Sequence, residues 1–498
     1  MSSPTYRLVR RARPPVVAPE LDDAQRRVVA HEGGPLLVLA GPGTGKTTTI
    51  VEAVVDRIER RGLAPDDVLV LTFSRRAAAE LRARIVTRLR RTTRAPLAFT
   101  FHGYAYALLR REHALAGEPP PRLLSGPEQL VEVRRLLEGE ADDGAAGWPE
   151  RLRPALRTHG FAEELRDLLL RARERGLDGP MLTALGRLRE RDDWVAAGEF
   201  LRRYLARFAV DPVPAYDYAE LIQAAAALLE RGDVRRREQA ARRVVFVDEY
   251  QDTDPAQEHL LHMLAGDGRD LVVVGDPDQS IYAFRGAEVR GILEFPHRFR
   301  ASDGRAAPVV ALRTCRRSGP GLLEATRRVA WRLPAVPGAG RHRGLVPLAE
   351  APPGEVEVRV TGGTSQEAAL VADVLRRAHL VDGVPWSRMG VLVRSAVRQL
   401  PVLRRALAAA DVPVAVAGDE LPLAAEPAVR AFVTLLRCAL RRDILTEHAA
   451  EELLTGPFGG ADTLAVRRLR RALGELEERA GGRRPSGALL VEALRDPR

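Results

Sequence analysis

Four short apolar runs stand out in the N-terminal part of the chain: Leu36–Ala40, Val68–Phe73, Val244–Val247 and Leu271–Gly275. Each is continuous rather than alternating, as expected of strands covered on both faces in a parallel sheet. Each also ends where a polar or glycine-bearing motif begins. The pattern therefore predicts an α/β sheet with its site at the carboxyl ends of the strands.

Between the second and third runs, from about Leu108 to Ala219, the periodicity is helical and no strand is evident; Glu163–Leu170 is one amphipathic segment. Gly/Pro/Asp clusters at Gly117–Pro121 and Asp142–Pro149 punctuate it. This predicts a helical domain inserted into the first α/β domain. A second set of strand-like runs follows, at Val309–Leu312, Val356–Val360 and Val391–Val393, alternating with helical segments Gln366–Arg377 and Val402–Ala410. It predicts a second α/β domain, crossed by a Pro-, Gly- and Arg-rich linker at Leu333–Gly344. From about Glu426 the pattern is helical to Arg498.

Length and composition narrow this picture. A chain of 498 residues is expected to form about three domains. The net charge of +10 suits a polyanionic partner, nucleic acid above all, but arginine enrichment through codon bias explains it equally well. The two cysteines, Cys315 and Cys438, offer neither a disulfide framework nor metal-ligand spacing. The first 20 residues form a basic, Pro-rich segment with no apolar run, expected to be a flexible tail. No apolar stretch reaches membrane-spanning length, and a cytoplasmic location is expected.

One residue is marked by composition alone. Lys46 is the single lysine among 77 basic residues, and the chain has no asparagine. Where arginine has replaced lysine everywhere else, the survivor is expected to do something a planar guanidinium cannot. It sits in Ala40-Gly41-Pro42-Gly43-Thr44-Gly45-Lys46-Thr47, between an apolar run and a helical segment. A compact ammonium there can slip between phosphate oxygens, backbone N–H groups of the glycine loop can cradle them, and Thr47 can place its hydroxyl on Mg²⁺. Ala40 departs from the strict pattern, which opens with Gly.

The run Val244–Val247 ends in Asp248-Glu249-Tyr250-Gln251-Asp252. Asp248 is expected to hold Mg²⁺ and Glu249 to orient and deprotonate a water. A third segment, Gly275 to Ala287, carries a polar sensor, Gln279, followed by Phe284 and Arg285, which suit a stacked base and a phosphate.

Taken in order, these segments resemble the superfamily 1A DNA helicases of the UvrD/Rep/PcrA group, from about Leu21 to at least Arg437. Leu21-Asp22-Asp23-Ala24-Gln25 is similar to the family's Q motif, which implies that Gln25 bonds adenine. Leu71–Ala78 is similar to motif Ia and Thr100-Phe101-His102-Gly103 to the DNA-contacting motif after it. Leu312–Ser318 is similar to motif IV, whose arginine on the γ-phosphate corresponds to Arg317. The resemblance implies two RecA-like P-loop NTPase motor domains with an inserted helical domain and the start of a second one. Domain 1A is expected at 21–107 and 220–298, 1B at 108–219, an incomplete 2A at 299–425 and an incomplete 2B at 426–498. It further implies ATP and Mg²⁺ at Gln25, Ala40 to Thr48 and Arg316, with Lys46, Asp248, Glu249, Gln279 and Arg317 catalytic. Single-stranded or duplex DNA is expected on Phe73, Arg75, Thr100, His102, Tyr282, Phe284 and Arg285, with movement 3′→5′ in repair or recombination.

The sequence departs from the family where Arg316 replaces a usual Tyr, Phe284 a usual Trp and Gly103 a usual Ser. Motifs V and VI are not found after Arg437, so the expectation is a chain cut short or completed by a partner. Details at Leu36–Thr49, Tyr250 and Leu124–Gln129 look closer to the motor subunits of actinobacterial RecBCD-like helicase–nucleases, which implies a second subunit as partner. The competing expectation is a non-motor subunit of such a complex that binds ATP and DNA without turnover.

Overall fold

A computed structural model describes residues 18–89, 97–209, 213–282, 287, 289–333, 339–416 and 427–496. The chain divides into two compact units, residues 1–356 and 357–498.

The first unit is built on one six-stranded parallel sheet. Its strands are β1 (Pro35–Ala40), β2 (Val68–Thr72), β3 (Ala98–Thr100), β6 (Val244–Val247), β7 (Asp270–Gly275) and β8 (Val309–Leu312), in the order β3-β2-β6-β7-β1-β8. The continuous apolar runs have a direct cause. Alternate side chains enter two separate cores, one on each face. Leu37, Leu39, Val245, Val247, Leu271 and Val273 face one core, with residues of α4 (Phe101–Ala116), α9 (Tyr218–Glu230), α11 (Pro255–Ala265) and α12 (Val289–Arg298). Leu36, Val38, Val244, Phe246, Val272 and Val274 face the other, with α2 (Lys46–Glu59) and α3 (Arg75–Leu89). Helix α1 (Asp23–Ala30) opens on a capping box, in which Asp22 accepts from the Gln25 N–H and the Gln25 side chain accepts from the Asp22 N–H. Buried Arg57 of α2 donates to the carbonyls of His31 and Val29 and to Asp270, tying α1's end to the start of β7.

The helical insertion has its own core. Helices α5 (Gly126–Asp142), α6 (His159–Glu174), α7 (Gly179–Leu188) and α8 (Asp192–Ala209) enclose Val133, Leu137, Trp148, Leu165, Leu169, Phe200 and Tyr204. Its base is closed by a short parallel ladder not foreseen from the sequence, β4 (Arg122–Leu123) on β5 (Ala215–Tyr216). Its start is later than residue 108, because α4 keeps Leu108 and Leu109 in the sheet core. Helix α10 (Gly232–Ala241) leads back into β6.

Val309–Leu312, expected to begin a second sheet, instead extends the first, pairing with β1 from Leu37↔Val309 to Ala40↔Leu312. Without it β1 would be an open edge beside the phosphate loop. After it, β9 (Thr314–Cys315) pairs with β10 (Val346–Pro347), flanking α13 (Pro320–Ala330). The runs Val356–Val360 and Val391–Val393 form no strand among the described residues.

In the second unit, α14 (Thr364–Leu380) and α15 (Ala396–Ala409) share a small core of Ala368, Ala372, Leu403, Leu407 and Val412. Helices α16 (Pro427–Leu440), α17 (Glu447–Thr455), α18 (Thr463–Arg479) and α19 (Ser486–Arg495) follow, with Leu445, Ala450 and Leu490 buried among them. No helix among the described residues is long and apolar enough to cross a membrane.

Candidate nucleotide site at the carboxyl ends of the strands

Strand β1 delivers the loop Gly41–Gly45 straight into α2, which begins at Lys46. Gly43 and Gly45 have φ of +75° and +85°, the left-handed region that favours glycine. A Cβ on Gly43 would lie 2.8 Å from both Arg317 Cβ and Cys315 Sγ, so the glycine is also required for the close approach of the segment after β9. The Arg316 N–H donates to the Gly43 carbonyl at 2.8 Å. Ala40 fits the opening position because it is the last residue of β1, fully buried, and its φ is not positive.

A cavity of about 590 Å³ opens over this loop. Gly41, Pro42, Gly43, Gly45, Lys46, Thr47, Thr48, Glu249, Gln279, Arg316 and Arg317 all line it. Eleven expected residues thus converge from four separate stretches of sequence. Lys46 Nζ lies 3.0 Å from Glu249 Oε2. Glu249 itself has φ +53°, an uncommon value for a non-glycine residue at the end of a strand. Burial, and next the charge of Glu249, push the neighbouring Asp248 carboxyl up to about 7, against the pull of Lys46. Hard oxygen donors, the Asp248 carboxylate and the Thr47 hydroxyl, suit a hard divalent cation rather than a softer metal.

Other residues of the site carried no assigned role in the sequence. Gln251, buried, donates to Glu249 Oε2 at 2.8 Å and accepts from the Asp276 N–H at 3.0 Å. Gln279 in turn donates to Asp276 Oδ2 at 2.7 Å. One hydrogen-bonded chain thus links the carboxylate beside Lys46 to the sensor segment. Asp278 is held by Arg343 at 2.6 Å and His342 at 3.0 Å. Glu80 and Arg84, paired at 2.7 Å on α3, also line the cavity. Their i,i+4 spacing on the helix after Leu71–Ser74 was the available signal. Helix α3 is fastened to α2 by Arg88 on Glu52 at 2.9 and 3.2 Å.

Gln25 stands apart. The resemblance implied a contact with the base, but Gln25 is 1 % exposed, absent from the cavity lining, and hydrogen-bonded wholly within the protein.

Of the residues expected to meet DNA, Phe73, Arg75, Thr100 and His102 lie at the ends of β2 and β3. Phe73 and Tyr282 stack on each other, centroids 4.4 Å apart at 28°. Arg75 is exposed at the first turn of α3. Thr100 is the N-cap of α4, its hydroxyl accepting from the Gly103 N–H at 3.0 Å. His102 packs edge-on against Tyr218 at 5.3 Å. Burial, with Arg75 adding to it, pushes the His102 imidazole down to about 4. Phe284 and Arg285 lie outside the described residues.

A glycine loop between a buried parallel strand and a helix, facing a paired Asp–Glu at the end of a second strand, defines a P-loop nucleotide-binding protein. Comparison with known proteins narrows the class. Residues 21–300 match the model of the UvrD/REP helicase N-terminal domain. The ATP-dependent DNA helicase UvrD2 of Mycobacterium tuberculosis is 32% identical over 416 residues, covering 80% of this chain and 55% of the relative. UvrD1 of the same organism is 32% identical over 306 residues, covering 57% and 37%. DNA helicase II of Escherichia coli is 31% identical over 285 residues, again covering 57% and 37%. The chain belongs to the UvrD/REP helicase family, and it spans about half or less of the length of these relatives.

Proposed function

We propose that this chain carries the ATP-hydrolysing motor of a DNA helicase that moves 3′→5′ along single-stranded DNA, in repair or recombination. The observation that carries this reading is the convergence of Lys46, Thr47, Glu249, Gln279 and Arg317 on one cavity at the carboxyl ends of the sheet. Lys46 would hold the outer phosphates of ATP, exchanging its bond to Glu249 for phosphate oxygens. Release from Lys46 frees the Glu249 carboxylate to take a proton from the attacking water. Thr47 and Asp248 would hold Mg²⁺, which when bound neutralises charge on the phosphate oxygens. Arg317 places a guanidinium at the same cavity, where it stabilises charge on the transferring phosphoryl group.

The link to DNA runs through Gln251. It joins Glu249 to Asp276 and Gln279, six and three residues before Tyr282, which stacks on Phe73. A change at the phosphates thereby reaches an aromatic face suited to bases. The names of the relatives support the same reading.

The test is steady-state ATP hydrolysis with and without single-stranded DNA, on this chain and on one extended to the relatives' length. Stimulation by DNA that is lost with Lys46→Ala is the expected result. Hydrolysis unaffected by Lys46→Ala would sink the site. Tight binding of ATP and DNA without turnover in the longer chain would favour a non-motor subunit instead.

A further inference from the structure

The sensor segment after β7 is held from behind by a stretch that the sequence showed only as a Pro-, Gly- and Arg-rich linker. Asp276 caps the short turn Pro277–Gln279, its Oδ1 accepting from the Asp278 N–H at 3.0 Å. Its Oδ2 accepts from the Gln279 side chain at 2.7 Å. The direction of the Gln279 amide therefore follows the direction of the Asp276 carboxylate.

That carboxylate is held in turn by His342, at the end of the turn Ala339–His342. His342 Nε2 lies 3.5 Å from Asp276 Oδ1 and 3.0 Å from Asp278 Oδ2. An ionised carboxylate only accepts, so Nε2 is the donor between the two. Asp276 and His342 are 1% and 2% exposed, so a partner lost there is not replaced by bulk water. Arg343 completes the hold. Its Nε and Nη2 fork onto the two oxygens of Asp278 at 2.7 and 2.6 Å, a bidentate geometry that fixes direction as well as charge.

The stretch is itself anchored. Arg327 of α13 donates to the Leu345 carbonyl, and the Val346 N–H donates to the Arg313 carbonyl at 2.8 Å. The Leu345 methyls lie so close to the phosphate loop that a Cβ on Gly41 would meet them at 3.0 and 3.1 Å.

We infer that His342 and Arg343 are positioning residues for the outer phosphate. They aim Gln279 through Asp276 and Asp278, so that the preference for a nucleoside triphosphate over a diphosphate depends on a clasp outside the lining of the nucleotide cavity. This rests on the nucleotide-site reading above, with Gln279 as the sensor. Neither residue touches the nucleotide. Each acts by placing a group that does, and a misplacement of about 1 Å can cost up to about 10²-fold.

The test is a double-mutant cycle on the affinities of the whole chain for ADP and for adenosine 5′-O-(3-thiotriphosphate), with Mg²⁺, by titration calorimetry. Gln279→Ala should lower the preference for the triphosphate by about 10- to 100-fold, the value of a hydrogen bond to a charged group. His342→Ala and Arg343→Gln should each lower it by about 10-fold and leave the affinity for ADP unchanged. In the Gln279→Ala background neither should have a further effect, because nothing is left to aim. His342→Gln retains an N–H donor and should recover most of the preference. Arg343→Lys keeps the charge without the fork, should lose the preference as Arg343→Gln does, and serves where that variant fails to fold. Equal loss of both nucleotides in variants whose unfolding midpoint matches the parent's would overturn the inference. So would losses that add to that of Gln279→Ala, since the clasp would then be a purely structural tie. An unchanged preference in Gln279→Ala would remove the sensor and this inference with it, leaving the Lys46 site standing. Failure of the parent chain to bind either nucleotide would remove the nucleotide site itself.

Discussion

The carboxyl edge of the sheet carries two unlike regions. At the ends of β1, β6 and β7 the side chains are charged, largely sheltered and already bonded to one another, with Lys46 on Glu249 and Gln251 bridging to Asp276. At the ends of β2 and β3 they are aromatic, partly exposed, and touch each other through ring faces and edges, Phe73 on Tyr282 and His102 on Tyr218. The first region is preorganised for one chemistry, because an ion in a sheltered site requires partners of fixed type and place. The second tolerates any ligand that has a flat face. The comparison teaches that the charged region depends on the identity of each residue, whereas the aromatic region depends only on the presence of flat faces.

The largest expected effect lies in the first region. Lys46→Ala removes the only ammonium of the site and should lower kcat/KM for ATP by at least about 10²-fold, read by phosphate release. Glu249→Gln should lower kcat by about 10²–10⁴-fold, the usual worth of a general base, while ATP still binds. Because that variant also weakens the competing Lys46–Glu249 pair, its affinity for ATP should not fall. Loss of binding together with turnover would show that Glu249 supports the loop rather than the chemistry.

The same contrast explains which features the sequence revealed. The phosphate loop and the Asp248-Glu249 pair were recognisable because few residue types can do their work, and Lys46 stood out against an arginine background. The buried strands were recognisable because both faces are covered, which makes their runs continuous. The same continuity misled at Val309–Leu312, since a partly buried edge strand of one sheet and the first strand of another look alike. Only the ladder to β1 distinguishes them. Val356–Val360 and Val391–Val393 share the apolar pattern, yet Val358, Val360 and Leu392 are 86%, 94% and 100% exposed. A run specifies a strand only together with neighbours that take its hydrogen bonds. Gln25 was read from its motif as a base contact, and its side chain is hydrogen-bonded within the protein. A motif shows which residue stands at a position, not whether its hydrogen bonds are already spent.

In the second region the effects should be smaller. Phe73→Ala removes one of two stacked faces and should weaken single-stranded DNA by about 5- to 100-fold in fluorescence anisotropy, the range found for a base–aromatic stack. An unchanged Kd would take Phe73 off the DNA path and return it to a purely structural contact with Tyr282.

The smallest effect is a matter of proton count at His102. Burial, then the charge of Arg75, lowers its pKa from 6.5 to about 4, so the ring is neutral wherever the protein is handled near neutrality. Any DNA contact it makes is then a ring or single hydrogen-bond contact and not an ion pair with phosphate. The unfolded chain binds the proton first as pH falls, so the burial of this neutral ring opposes folding increasingly from about pH 6.5 down to about 4, and costs nothing extra above that window. Ring-proton NMR of labelled histidine should accordingly show no titration of His102 between about pH 5.5 and 8, while His102→Gln removes its share of the acid destabilisation. A midpoint near 6.5 would mean that the ring is solvated and free to pair with a phosphate, and the contrast between a charged nucleotide region and an uncharged aromatic one would fail at that residue.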